Sequence, residues 1–190
     1  MKKNTFRSLR SACQVLCTVC VAIFMFACAH VSIKFVRDPS FSNPMNRLFI
    51  ILNHGQIDNT DSSYTPYLIN ALKDEFSKEG VEITIRVVKA LALNDSIYKS
   101  EIVSYEPDGV MALTATGGTV TSYGSVMEIV YDVSLFDLSS KKRIWRAQIK
   151  ASGGALVREK RMKLMARDLV KQLREQKIIG SEPRSKGKEL

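Results

Sequence analysis

The sequence predicts one mixed α/β (α+β) domain behind an N-terminal export segment, and three observations carry that expectation. Apolar residues recur at period two, most clearly Val81, Ile83, Ile85 and Val87 against Glu82, Thr84 and Arg86. Elsewhere the spacing becomes helical, in Leu68, Ile69, Leu72, Phe76 and again in Met162, Met165, Leu169, Leu173. The composition, 45% hydrophobic and 25% charged over 190 residues, suits one ordinary core and excludes a disordered or low-complexity chain.

Val31 to Phe35 alternates and reads as a short edge strand; Pro39 and Pro44 then mark a loop. Arg47 to Leu52 is continuous enough for a buried strand. Thr65-Pro66 opens a helix, with Thr at the cap and Pro at the first helical position, and Gly80 ends it. Val81 to Val88 is a strand. Asn94 or Asp95 caps a short helix that runs to about Ser104 and stops before Pro107. Val110 to Thr116 is a strand, Gly117-Gly118 a two-residue turn, and Thr119 to Tyr123 leads away from it. Val126 to Leu138 forms a long strand, Ser139 to Lys142 the next turn, and Arg143 to Ala151 the return strand with Trp145. Gly153-Gly154 breaks the sheet before the last helix, Ala155 to Ile178. A βαβ unit followed by an antiparallel meander gives a mixed sheet of about five strands, with the helices, including the long C-terminal one, on one face. The expected divisions are a signal peptide over 1–27, a lipidated N-terminus and tether over 28–46, one domain over 47–180 and a disordered tail over 181–190.

The leader has a recognisable layout. Lys2, Lys3, Arg7 and Arg10 stand before any acid, and Ala12 to Ala27 is almost wholly apolar, as in a secretory signal. Losing those four cations lowers the formal charge from +9 to +5. All four cysteines, Cys13, Cys17, Cys20 and Cys28, lie within the first 28 residues, which excludes a disulfide-stapled core and a thiolate zinc site downstream. Met25-Phe26-Ala27-Cys28 resembles the lipobox of bacterial lipoproteins, with a small residue before the Cys and Phe26 where the pattern has a second small one. The resemblance implies diacylglycerol on the Cys28 thiol, an N-acyl chain such as palmitate on its amine, and no other cofactor. Ala29 is not the Asp that retains enteric lipoproteins at the inner membrane, which favours the outer membrane. The alternative is an uncleaved anchor from about Ala12 to Phe35, with His30 and Lys34 inside it. Residues 29–46 would reach about 60 Å if fully extended.

The lipobox-like segment, the βαβ unit and the hairpin Tyr131 to Asp137 with its return Lys141-Lys142-Arg143-Ile144-Trp145-Arg146 resemble small Gram-negative envelope lipoproteins. Their soluble domains are of the TolB N-terminal or penicillin-binding-protein activator (LpoB) type. The resemblance implies a partner that is another envelope protein or an anionic envelope polymer; the export segment argues against nucleic acid despite the basic charge.

Chemistry is sparse. His54 follows the first buried strand, with Asp58 and Asp61 near it; such strand ends bind ligands in open α/β sheets, and the trio could serve a metal-dependent hydrolase. A polar turn explains the same residues. No Gly-x-Ser-x-Gly elbow, P-loop or dinucleotide fingerprint occurs. Two surfaces suggest binding instead. Hydroxyls surround Gly117-Gly118 at Thr116, Thr119 and Thr121, a ribbon suited to strand addition or glycan contact. The last helix carries Arg167, Lys171 and Arg174 among eight cations, from Arg158 to Lys177, against three acids, suited to anionic lipid or protein. The expectation is a non-enzymatic, membrane-tethered envelope module for binding or assembly. The alternatives are the hydrolase and a structural subunit docking through the Thr-rich hairpin or a sheet edge.

Overall fold

A computed structural model describes residues 29–53, 64–88, 96–122, 125–154 and 157–180. Its chain order is β1 (His30–Arg37), β2 (Arg47–Asn53), α1 (Tyr64–Lys78), β3 (Glu82–Val88), α2 (Ser96–Tyr105), β4 (Gly109–Val120), β5 (Val126–Asp137), β6 (Lys142–Ser152) and α3 (Arg158–Glu175). The strands form one sheet in the order β1-β6-β5-β4-β2-β3. β2 pairs in parallel with both β3 and β4, and every other pairing is antiparallel. A strand flanked by two parallel neighbours is covered on both faces, which is why Leu48, Phe49, Ile50 and Leu52 are all fully buried.

The main core lies on one face. Leu48, Ile50 and Leu52 of β2, Met111 and Leu113 of β4, Ile129 to Leu135 at alternate positions of β5, and Ala147, Ile149 and Ala151 of β6 share it with α1 and α3. The apolar stripes expected for those helices, Leu68, Leu72, Phe76 and Met162, Met165, Leu169, Leu173, are the residues that fill it. Lys177, at φ 54°, ends α3: Lys177 N–H bonds the Arg174 carbonyl and Ile178 N–H the Leu173 carbonyl. The chain then returns inward, so that Ile178 and Ile179 are buried beside Met45.

Four expectations change. The sheet has six strands, because the segment from Val31 is an eight-residue edge strand paired with β6 from His30↔Ser152 to Arg37↔Trp145. Most of the N-terminal half of the expected tether, residues 28–46, is therefore sheet. Gly117-Gly118 is not a turn. β4 continues through both glycines to Val120, a register shift between Ala115 and Gly117 absorbing the break, and the reversal falls at 121–125. Thr121 and Ser125 close it, with Thr121 N–H on the Ser125 carbonyl (2.8 Å) and Ser125 N–H on Thr121 Oγ1 (3.1 Å). Finally, the helices do not share one face. α2 covers the opposite side of β2 and β3, where Tyr105 packs edge-on to Phe49 (6.2 Å) and Glu101 pairs with Arg86 (3.5 Å).

Carboxylates fasten the end of the sheet where β2 begins. Asp108 accepts the N–H groups of Asn46 (2.8 Å) and Arg47 (2.9 Å). Asp137 accepts from Ser139 N–H and Oγ and from Ser140 N–H, which builds the β5–β6 turn. Burial of Asp137 opposes its ionisation, but these donors from Ser140 and Ser139 prevail and hold its carboxyl below the ordinary aspartate value.

Two outcomes follow from this geometry. A Cβ on Gly118 would collide with the Glu128 carbonyl oxygen, whereas one on Gly117 meets open space. Gly118→Ala should thus lower the denaturation midpoint clearly and Gly117→Ala hardly at all; equal damage from both would restore the tight-turn reading. Because the folded pKa of Asp137 is depressed, its contribution is complete above the unfolded value and disappears as pH falls through the folded one. Asp137→Asn should accordingly flatten the acid limb of stability below about pH 5 in urea titrations.

Candidate functional site

Strand directions place the chemistry-bearing segments at one end. β1 and β5 begin where β2, β3, β4 and β6 finish, and α1 and α3 begin there too. The carboxyl edge of the parallel strands, the β4–β5 turn, the β6–α3 connection and the start of β1 thus form a single end face. Cys28 precedes this face by two residues and itself lies outside the described residues, as do His54, Asp58 and Asp61. The segment carrying those three leaves β2 at Asn53, on the same face.

A buried guanidinium organises this end. Arg161 is fully buried, although it belongs to the cations expected on a solvent-facing helix surface. Its Nη1 donates to the carbonyls of Met127 (2.8 Å) and Gly153 (2.8 Å), its Nη2 to Tyr64 Oη (2.5 Å) and the Val126 carbonyl (3.0 Å). Tyr64 Oη in turn donates to the Val126 carbonyl (3.0 Å), and the guanidinium carbon lies 4.9 Å from the Tyr64 ring centroid. Burial pushes the Arg161 pKa below the usual arginine value, while the Tyr64 hydroxyl works in the other direction. Arginine remains charged, since its starting value is so high. No carboxylate pairs with Arg161 among the described residues, so carbonyl dipoles and one aromatic face compensate the charge. One side chain therefore joins α3 to the start of α1, the start of β5 and the end of β6.

The predicted basic face is largely paired. Arg167 contacts Asp168 at 2.9 Å, Lys171 contacts Glu175 at 3.8 Å and Arg174 reaches Glu79 of the α1–β3 turn at 3.0 Å. Lys163 holds Glu159 at 2.6 Å, and that hydrogen bond raises the lysine pKa. Exposed pairs of this kind contribute little to stability, but they neutralise the local field. Thr116 and Thr119 are exposed, on the part of β4 that extends past its last pairing with β2 at Asn53↔Thr114. Thr121 is occupied by the turn. The three threonines thus lie on the end face, whereas Arg167, Lys171 and Arg174 lie along the side of the domain.

Away from the helices, the sheet face over β5, β6 and β1 is polar and uncovered. Lys150 pairs with Glu128 (3.0 Å), and Arg146 (3.8 Å) and Gln148 (3.5 Å) approach Asp132. Among the described residues, no group of three or more His, Cys, Asp or Glu is placed to hold a metal ion. None of the described helices is long and apolar enough to cross a membrane. Arg161 and Tyr64 were missed in the sequence, although one signal was present: Arg161 stands four residues before Met165, in line with Leu169 and Leu173.

No family model matches the chain, and no curated protein matches it in sequence. Its fold is similar to that of the PelC dodecamer from Paraburkholderia phytofirmans, with TM-score 0.51, 10% identity, and 76% of this chain and 97% of PelC covered. A dodecameric point variant of PelC gives TM-score 0.51 at 11% identity, with 80% and 100% covered. A lipoprotein, GNA1162 from Neisseria meningitidis, aligns with TM-score 0.40 and 13% identity over 68% of this chain and 98% of its own. At these identities the PelC likeness shows a shared fold.

The Arg161 network makes a ranked prediction. Arg161→Ala removes four hydrogen bonds and takes the donor from the Gly153 carbonyl, while Tyr64 Oη still serves Val126 and Gly153 N–H still serves Met127; it should cost about 3 kcal/mol in chemical denaturation. Tyr64→Phe leaves Val126 its bond from Arg161 and should cost only about 1–2 kcal/mol. An Arg161→Ala loss below about 1 kcal/mol would overturn the assigned role.

Proposed function

We propose that the chain is a lipid-anchored lipoprotein of the bacterial envelope that acts as a non-enzymatic binding and assembly module. The observation that carries this reading is a junction. A fold that covers nearly all of PelC, a protein solved as a dodecamer, begins two residues after a lipobox-like Cys28. Two sheet edges, β1 and β3, and the uncovered face over β5, β6 and β1 supply surface on which a partner can assemble. The partner in this reading is another envelope component, an envelope protein or an anionic envelope polymer, as the resemblance to TolB- and LpoB-type lipoproteins implies. Further copies of the chain belong to the same reading. The acyl chains on Cys28 are its only covalent additions, and the residue after Cys28 favours the outer membrane. Two or more chains hold a protein stably where one would not.

The experiment is extraction of the native protein from membranes, intact-mass measurement and in-cell crosslinking, in parallel with Cys28→Ala. The expected result is a mature N-terminus at Cys28 with diacylglycerol and N-acyl mass. A stoichiometric envelope partner should also be present, and it should be lost in the variant. An unacylated chain starting at Met1 would refute the anchor. Metal-dependent turnover abolished by His54→Ala would refute the non-enzymatic reading.

A further inference from the structure

Resting on the lipoprotein reading, we infer that the end face beside Cys28 is a membrane-docking surface. The domain stands on the anionic headgroup layer through the end of β4 at Val120 and the first turn of α3, instead of hanging below it on a tether. The strand register supports this. His30, Ser152, Glu128 and Thr119 form one row across β1, β6, β5 and β4. Cys28 lies two residues beyond the row, no more than about 7 Å along the chain. Val120 lies one residue beyond the row in the same direction, and it is 50% exposed, a large apolar side chain facing water at the tip of a ribbon. Three strand spacings separate β1 from β4, about 14 Å, so the start of β1 and Val120 share one end of the sheet. An acyl-bearing Cys28 at the headgroup boundary therefore brings Val120 towards it.

The third point of contact is charged. Arg161 bonds the carbonyls of Met127 and Gly153, each one residue beyond the same row, and thereby holds the start of α3 at this level. Lys160, immediately before it, is exposed and has no carboxylate within ion-pair distance among the described residues, unlike Lys163, Arg167, Lys171 and Arg174. A lysine within a Debye length of anionic headgroups is drawn to their phosphates. An apolar tip and an ammonium with no carboxylate partner among the described residues, at the end where β1 begins two residues after Cys28, fit a phosphate-bearing bilayer surface. This arrangement turns the Asp108 and Asp137 end, and the edges β1 and β3 along their length, towards the aqueous compartment.

The mature lipoprotein provides its own test system, because Cys13, Cys17 and Cys20 precede the cleavage point and Cys28 is blocked by lipid. The acylated protein, its acyl mass verified, is labelled at Thr119→Cys or at Ser140→Cys in the opposite turn. It is then reconstituted in vesicles of zwitterionic lipid with or without anionic phosphatidylglycerol, containing a lipid-phase quencher. The 119 label should be quenched strongly in anionic vesicles and the 140 label should not. Lys160→Ala should reduce the docked-to-undocked ratio about fivefold in anionic vesicles only. Val120→Asp should reduce it in both compositions. Equal, weak quenching at 119 and 140 with the acyl mass present would overturn the docking face and leave the lipoprotein reading intact. Absence of the acyl mass would instead overturn that reading. Lys160→Ala without effect would remove the headgroup phosphates as the partner.

Discussion

The Arg161 guanidinium is the interaction on which the assembly of this domain turns. A charge without a carboxylate partner is costly to bury, and it is tolerated only where fixed dipoles replace water. Here carbonyls from two strands and the Tyr64 hydroxyl supply those dipoles. The requirement is reciprocal. The Gly153 carbonyl gains a strong donor just past the end of β6, and the Val126 and Met127 carbonyls gain a second donor beside Tyr64 Oη and Gly153 N–H. The network thus fixes where α3 enters the core and, through Tyr64, where α1 starts.

The two ends of the sheet are held by opposite charges. At the Arg161 end a cation gathers carbonyl oxygens. At the other end Asp108 and Asp137 gather backbone N–H groups, closing the β5–β6 turn and joining the start of β2 to the segment before β4. Side chains here perform what backbone pairing cannot, because both ends lie where strands stop and turns begin. The middle of the molecule needs no such devices. There the alternating residues of β4, β5 and β6 pack against two amphipathic helices, and burial of apolar area supplies the cohesion.

Chain direction links this scaffold to the proposed role. Since β1 starts at the same end as α1, α3 and β5, the lipid proposed for Cys28 would bring that end of the domain towards the membrane. A long flexible tether would leave that orientation free, and pairing of His30 to Arg37 with β6 removes most of its reach. The parallel pairing of β2 with β3 and β4 makes β2 end, at Asn53, at the same end of the sheet where β1 begins. The uncovered sheet face and both edges stay available along the sides.

Much of the architecture was legible from local pattern. Period-two stretches became β3, β5 and β6, and the Leu68–Phe76 and Met162–Leu173 stripes became the buried faces of α1 and α3. Those assignments succeed because side-chain period and burial are set by neighbours within one element. The Gly117-Gly118 reading failed because two glycines mark either a turn or a close backbone approach, and only the position of the Glu128 carbonyl distinguishes them. Formal charge likewise counts Arg161 and Arg174 alike, while packing buries one and pairs the other with Glu79. By itself the sequence determined the period of each element, its apolar face and the lipobox-like leader, all of which are properties of residues close in the chain. Tertiary structure alone decided the six-strand order, the face taken by α2, the burial of Arg161 and the common row of His30 and Thr119. Each of these depends on pairing between residues tens of positions apart, for which no local spacing provides a signal.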